Sequence, residues 1–221
     1  MDALVFDFDG VIADSEHLHD EALRVVCEPL GFDWEGDAWV GWPDAEVFRE
    51  LYRRRGERLS DRGLAELLER KTEAVLVQVR AGLYRVYPGS VELMRAAARV
   101  AKVGVCSAGL RGQIVPVLES FGALECVSTI VAYEDTPRSK PDPGPYLLAA
   151  ERLGSRPGSS VAIEDSVRGV AAARGAGFRV VAVGHTTARE RLGEATMFEP
   201  TIATLTVDRL MALVRAEDDG D

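Results

Sequence analysis

From Lys102 onward, short apolar runs alternate with amphipathic stretches that end in glycine, and few folds accept that order. Lys102–Cys106, Val127–Ala132, Ser160–Ile163 and Arg179–Val183 are rich in Val, Ile and Ala and read as buried strands. Between them, Arg111–Phe121, Pro145–Leu153 and Val167–Arg174 read as helices closed by Gly122, by Gly154 and by Gly175 with Gly177. The turn Tyr87-Pro-Gly-Ser90 and a helix over Val91–Arg99 precede the series, and a helix over Val207–Arg215 ends it. The alternation predicts an α/β fold with a doubly wound, Rossmann-like parallel sheet.

One more strand stands apart at the N-terminus. Leu4-Val-Phe-Asp7-Phe-Asp9-Gly10 is an apolar run leading into two carboxylates and a glycine. Asp7 and Asp9 are two residues apart, so a strand points both to one side. At the carboxyl end of a parallel strand they face the crevice where such sheets bind ligands. Like charges that close are costly unless a cation or a shared proton relieves them. A metal site and a helix-capping Asp pair both remain open on this stretch alone.

Asp14 or Ser15 can cap a helix over 16–28, stopped by Pro29 and Gly31, and helices over 45–55 and 61–79 follow. The first strand is thus cut from its sheet partners by an all-helical stretch of roughly 70 residues, too long for a simple crossover. We expect residues 1–14 and 85–221 to form the α/β catalytic core. Residues 15–84 should form an inserted helical cap domain over the strand ends, with Trp34, Trp39 and Trp42 in its core and Arg53-Arg54-Arg55 on a solvated face.

A net charge of −10 argues against a nucleic-acid surface. Part of it lies in the tail Glu217–Asp221, read as solvated. No apolar run approaches the roughly 18 residues of a membrane span. Cys27, Cys106 and Cys126 are odd in number and lack metal-ligand spacing, which reads as reduced thiols in a cytoplasmic protein, a monomer or weak homo-oligomer.

Four strand ends carry polar residues suited to phosphate and metal chemistry: Asp7 with Asp9, Ser107, Lys140, and Glu164-Asp165-Ser166. The set Asp7-Phe-Asp9-Gly-Val, Ser107, Lys140-Pro-Asp-Pro and Glu164-Asp165-Ser166, followed by Gly169, Ala172 and Gly175-Ala-Gly177, resembles the haloacid dehalogenase superfamily. The match is to its helical-cap branch and spans about residues 4–184. The resemblance implies Asp7 as nucleophile forming an aspartyl-phosphate, and Asp9 as general acid and base. It implies Mg2+ between the Asp7 carboxylate, the Asp9 backbone carbonyl and Asp165. Ser107 and Lys140 would hold phosphoryl oxygens. Glu164 and Ser166 would support that centre, or form only a turn and a helix cap.

An acid at Asp9 favours phosphate-ester chemistry over cleavage of carbon–halogen or carbon–phosphorus bonds. His19, Lys71, Val86-Tyr-Pro-Gly89 and Ser107-Ala108 resemble the β-phosphoglucomutase and phosphoglycolate-phosphatase neighbourhood. Asp44, however, stands where a mutase carries an arginine, Gly109-Leu110-Arg111 replaces its phosphate-gripping residues, and Gly144 replaces the Asp that orients the lysine. The expectation is a magnesium-dependent phosphatase acting on a small phosphate ester, possible sugar phosphates included. A sugar phosphomutase is the alternative, and a non-catalytic binding module the rival from another class. Arg111 reads equally as a substrate contact or a solvated helix start, and His19 as an orienter of Asp9 or a satisfied hinge residue. Arg70 and Lys71 read as helix-surface charge or as residues that reach the site when the cap closes, Lys71 as a support or substrate contact.

Overall fold

The computed structural model describes residues 1–34, 36–39 and 42–215. Val40, Gly41 and the acidic tail 217–221 lie outside the described residues. The chain opens with β1 (Ala3–Phe6) and the two-residue β2 (Ala13–Asp14), then runs through three helices, α1 (Glu16–Cys27), α2 (Asp44–Arg54) and α3 (Asp61–Arg80). It returns through β3 (Arg85–Val86) to α4 (Ser90–Ala97), β4 (Lys102–Cys106), α5 (Arg111–Ser120), β5 (Thr129–Val131) and α6 (Gly144–Leu153). Then come β6 (Val161–Glu164), α7 (Val167–Gly175), β7 (Arg179–Val183), β8 (Met197–Glu199) and α8 (Val207–Arg215).

Six strands form one sheet in the order β5-β4-β1-β6-β7-β8, and every pairing is parallel. β1 sits at its centre, Val5 facing Gly104 on one side and Ala162 on the other. The chain builds one half of the sheet outward from β4 and the other outward from β6, so the strand order reverses at β1. Such a switch point opens a crevice beyond the strand ends. The Asp7 N–H donates to the Ile163 carbonyl at 2.9 Å, which carries the ladder one residue past β1 and fixes where the first carboxylate begins.

Side chains alternate across the sheet as a strand period of two requires. Leu4 and Phe6 join Met94, Ile114 and Leu210 on one face. Ala3 and Val5 join Tyr146, Ala149, Leu153 and Val170 on the other. A third cluster, including Leu23, Val26, Phe32, Trp39, Phe48, Leu51 and Leu67, is drawn from the helices between β2 and β3. Burying a side chain such as Phe48 contributes about 1.5–3 kcal/mol, so this segment has an apolar core of its own.

Several local expectations need correction. β8 was not foreseen: its three residues are half-buried and pair only with β7, so they lack the continuous apolar run of a central strand. Nor was the ladder Ala13↔Val86 and Asp14↔Arg85, too short to leave a periodic pattern. Trp39 is buried and stacks on Trp34, but Trp42 is 40% exposed and meets Trp39 edge-on. Arg55 lies over the Phe32 ring and donates to the Leu30 carbonyl, so it is not simply solvated. Among the described residues no helix is long and apolar enough to cross a membrane.

Candidate active site

The loop after β1 is a tight turn in which the Phe8 carbonyl accepts from the N–H groups of Val11, Ile12 and Ala13. Gly10 has φ +77°, a conformation that glycine adopts without steric cost. A Cβ there would lie 1.9 Å from Asp165 Oδ2, so the first and last motifs are in contact. The loop is also held from outside: His185 Nδ1–H donates to the Gly10 carbonyl at 2.7 Å, and its Nε2 accepts from the Ile202 N–H at 3.1 Å. These partners fix a neutral ring protonated at Nδ1. The ring stacks on Tyr87 with centroids 3.8 Å apart, and the Thr186 hydroxyl donates to the Asp165 carboxylate. Neither His185 nor Thr186 was foreseen, although Gly184-His-Thr-Thr follows a strand as the other motifs do.

Lys140 is buried, and its ammonium meets Asp7 Oδ1 at 2.8 Å, Glu164 Oε1 at 2.6 Å and the Cys106 carbonyl at 2.9 Å. Its three protons therefore have three acceptors. Glu164 is in turn held by the Tyr146 hydroxyl at 2.7 Å. Gly169 makes room for it, since a Cβ there would stand 1.9 Å from Glu164 Oε2. The lysine's support thus comes from Glu164; at the altered position, the Gly144 N–H donates to Asp142. Ser166 takes both expected parts, bonding Glu164 at 3.3 Å and capping α7 through the Gly169 N–H at 3.0 Å.

Burial pushes the Asp7 pKa well up, the Glu164 charge adds to this, and Lys140 opposes it. Burial also disfavours charge on Lys140, but Asp7 and Glu164 keep it protonated. Asp7, Glu164 and Asp165 are all buried, and each offers a carboxylate oxygen within 4.8 Å of the others. Three carboxylates against one ammonium leave an excess of negative charge that a divalent cation relieves. The all-oxygen donor set fits a hard ion such as Mg2+. With Glu164 engaged by Lys140 and Tyr146, Asp7 and Asp165 are the carboxylates suited to hold it. The Asp9 side chain is not in this group.

Asp9 turns instead toward α1, accepting from the Ser15 hydroxyl at 2.5 Å and from His19 Nε2–H at 2.7 Å. Ser15 stands at the N-cap of α1, yet its hydroxyl serves Asp9 and not the helix. Burial works against the Asp9 charge, but His19, Ser15 and Lys71 outweigh it and lower its pKa to about 2. Lys71 is fully buried, contrary to its reading as surface charge; it donates to His19 Nδ1 at 2.5 Å and pairs with Asp44 Oδ2 at 2.9 Å. Arg70, its neighbour, is exposed.

Ser107 is 4% exposed at the end of β4, and its Oγ accepts from the Gly109 N–H at 2.9 Å. A Cβ on Gly109 would lie 3.3 Å from Ser107 Oγ and 3.8 Å from Asp9 Oδ2, so Gly109 stands against both side chains; Ala108 is half-buried. Arg111 is not brought there: its guanidinium pairs with Asp135 at 2.5 Å and bonds the Ile130 carbonyl at 2.9 Å.

Residues 1–177 match the family model described as haloacid dehalogenase-like hydrolase. Protein CbbY of Cereibacter sphaeroides is 31% identical over 226 residues, covering 93% of this chain and 94% of that protein. A phosphorylated carbohydrates phosphatase of Thermotoga maritima is 30% identical over 190 residues, covering 84% and 86%. In fold, β-phosphoglucomutase from Clostridium difficile superposes with a TM-score of 0.87 over 99% of both chains at 21% identity. A family model matched over most of the length, on a sheet whose switch point gathers all four motifs, places this chain among the haloacid dehalogenase-like hydrolases.

Proposed function

We propose that the protein is a magnesium-dependent phosphatase that hydrolyses a small phosphorylated metabolite, in the class of sugar phosphates, through an aspartyl-phosphate on Asp7. The observation that carries this reading is the separate partnering of two carboxylates two residues apart. Asp7 is set against Lys140 beside Asp165, while Asp9 is set against His19 and Ser15. Carboxylates in contrasting surroundings take different roles, here nucleophile and proton carrier.

An Asp7 oxygen attacks phosphorus as the ester P–O bond breaks, and Asp9 gives its proton to the leaving oxygen. Asp9 then takes a proton from the water that attacks the phosphorus, releasing inorganic phosphate and restoring Asp7. Before substrate arrives Asp9 is held as a carboxylate; the negative charge of an incoming phosphoryl group favours its protonated form. Lys140 and Ser107 hold phosphoryl oxygens, and Glu164 holds Lys140. Asp7, Asp165 and the Asp9 backbone carbonyl would hold magnesium, which would supply neutralising charge for the attacking carboxylate and the phosphoryl oxygens.

Asp44 favours hydrolysis over phosphoryl return. It is an anion paired with Lys71 where a sugar phosphomutase carries an arginine, and Arg111 is committed to Asp135. The relative named for phosphorylated carbohydrates supports the same substrate class. The test is phosphate release from a panel of sugar and organic-acid phosphates with magnesium, comparing wild type with Asp7→Asn and Asp9→Asn. Release by wild type alone is expected. Interconversion of hexose phosphates on adding a bisphosphate, without net release, overturns the reading in favour of a mutase.

A further inference from the structure

Lys71 has no exposure at all, so each of its three protons needs an acceptor. Two come from the helices between β2 and β3: His19 Nδ1 and Asp44 Oδ2. The third crosses to the sheet-flanking helix α5, where Gln113 Oε1 accepts at 3.1 Å. Gln113 is itself 2% exposed, and its amide nitrogen donates back to Asp44 Oδ2 at 3.3 Å and Thr72 Oγ1 at 3.2 Å. Only one orientation of that amide works. Flipped, it would aim its N–H groups at an ammonium and its oxygen at a carboxylate.

A lysine that donates to His19 Nδ1 forces the proton of that ring onto Nε2, the nitrogen that meets Asp9. We propose that Gln113 is a positioning residue for Asp9: seated against α3, it completes the acceptor set of Lys71, and Lys71 holds the His19 tautomer that orients Asp9. Gln113 lies outside the helical segment that carries Lys71 and His19, so it is satisfied only while that segment is docked on α5. Docking and orientation of the proton carrier are then one event. The inference rests on the phosphatase reading, in which Asp9 protonates the leaving oxygen.

An acid is needed most when the leaving group is a poor one. An alkyl phosphate releases an alkoxide that must take a proton, whereas p-nitrophenyl phosphate releases a phenolate that leaves without one. The experiment compares kcat/KM for p-nitrophenyl phosphate and for the fastest alkyl phosphate of the panel, in wild type, Gln113→Met, Lys71→Met and the double variant. Gln113→Met is expected to lose about tenfold on the alkyl ester, part of the usual contribution of general acid catalysis, and under about threefold on the aryl ester. The double variant should lose no more than Lys71→Met alone, because Gln113 acts through that lysine. Equal losses on both esters, or additive losses in the double variant, overturn the proposal and leave Gln113 as packing. If Gln113→Met does not fold, judged by its thermal transition, Gln113→Asn withdraws the acceptor while keeping an amide. Absence of hydrolysis of either ester by wild type defeats the phosphatase reading, and this inference with it; hydrolysis by wild type with an unaffected Gln113→Met defeats the inference alone.

Discussion

Gly10 and Asp165 stand so close that a single carbon added to the glycine would fall 1.9 Å from the carboxylate. The positive φ of Gly10 adds a backbone cost of about 1–2 kcal/mol for any L side chain. Gly10→Ala is therefore expected to displace Asp165 and the Asp7–Asp9 loop together, lowering kcat by about 10²-fold or more, as small misplacements of reacting groups do. Steady-state rates and the magnesium concentration for half-maximal activity measure it. A variant with wild-type values for both would show that the loop yields without consequence.

Glu164 and Tyr146 separate positioning from stability. Glu164→Gln removes the charge that holds Lys140, and a loss of about 10–100-fold in kcat is expected, as for other residues that orient a reacting centre. Tyr146→Phe removes one donor to the buried carboxylate and should cost about 1–3 kcal/mol of stability with a smaller loss of rate. Chemical denaturation and kcat on the same two proteins test the contrast. A Tyr146→Phe protein slower than Glu164→Gln would reverse the assignment.

The pH dependence of folding carries a signature of His185. Burial lowers its pKa from the ordinary 6.5, against the opposing pull of the Gly10 carbonyl and Asp14. The unfolded chain then binds a proton that the folded ring refuses, so the stability associated with this ring is complete above about pH 6.5 and declines as pH falls below it. Between pH 7.5 and 5.5 the melting temperature of wild type should drop further than that of His185→Asn. Parallel curves for the two would remove His185 as the source.

Thiol chemistry follows burial. Cys27 and Cys106 are buried and their pKa values are pushed up to about 12, so the native protein offers almost no thiolate at either. Cys126 is half-buried. Iodoacetamide at pH 8 is expected to label Cys126 first, with the other two reacting only after unfolding. Mass spectrometry of the native time course decides, and early label on Cys106 would contradict the burial of β4.

The sheet and the motifs were legible because Asp7 with Asp9, Ser107 and Glu164-Asp165 directly end apolar strands, strand ends converge wherever the sheet is parallel, and Lys140 stands in the loop between β5 and α6. What the pattern concealed was assembled from remote pieces. Lys71 looked like helix-surface charge because its three acceptors come from positions 19, 44 and 113, none near it in sequence. Arg111 looked free to meet a phosphate because Asp135, its partner, lies beyond the next strand. Gly144 drew attention as a lost support for Lys140, while the support stood at Glu164, on β6, the strand beside β1. His185 and Thr186 could have been found by asking of β7 what was asked of the other strands.

The paired residues Ala13 and Val86 have a wider consequence. The chain leaves the sheet and comes back to it through one narrow doorway, its two jambs bonded to each other. Seen from the sheet, everything between those jambs is equivalent to a hairpin loop, whatever its length, because the ends are already together and the entropy of closing a longer loop grows only slowly. The strand that leads into Asp7 can therefore keep its place while the helices beyond the doorway are rewritten. A chain built this way can accept new helices at that doorway without disturbing the sheet at whose strand ends Asp7, Lys140 and Glu164 meet.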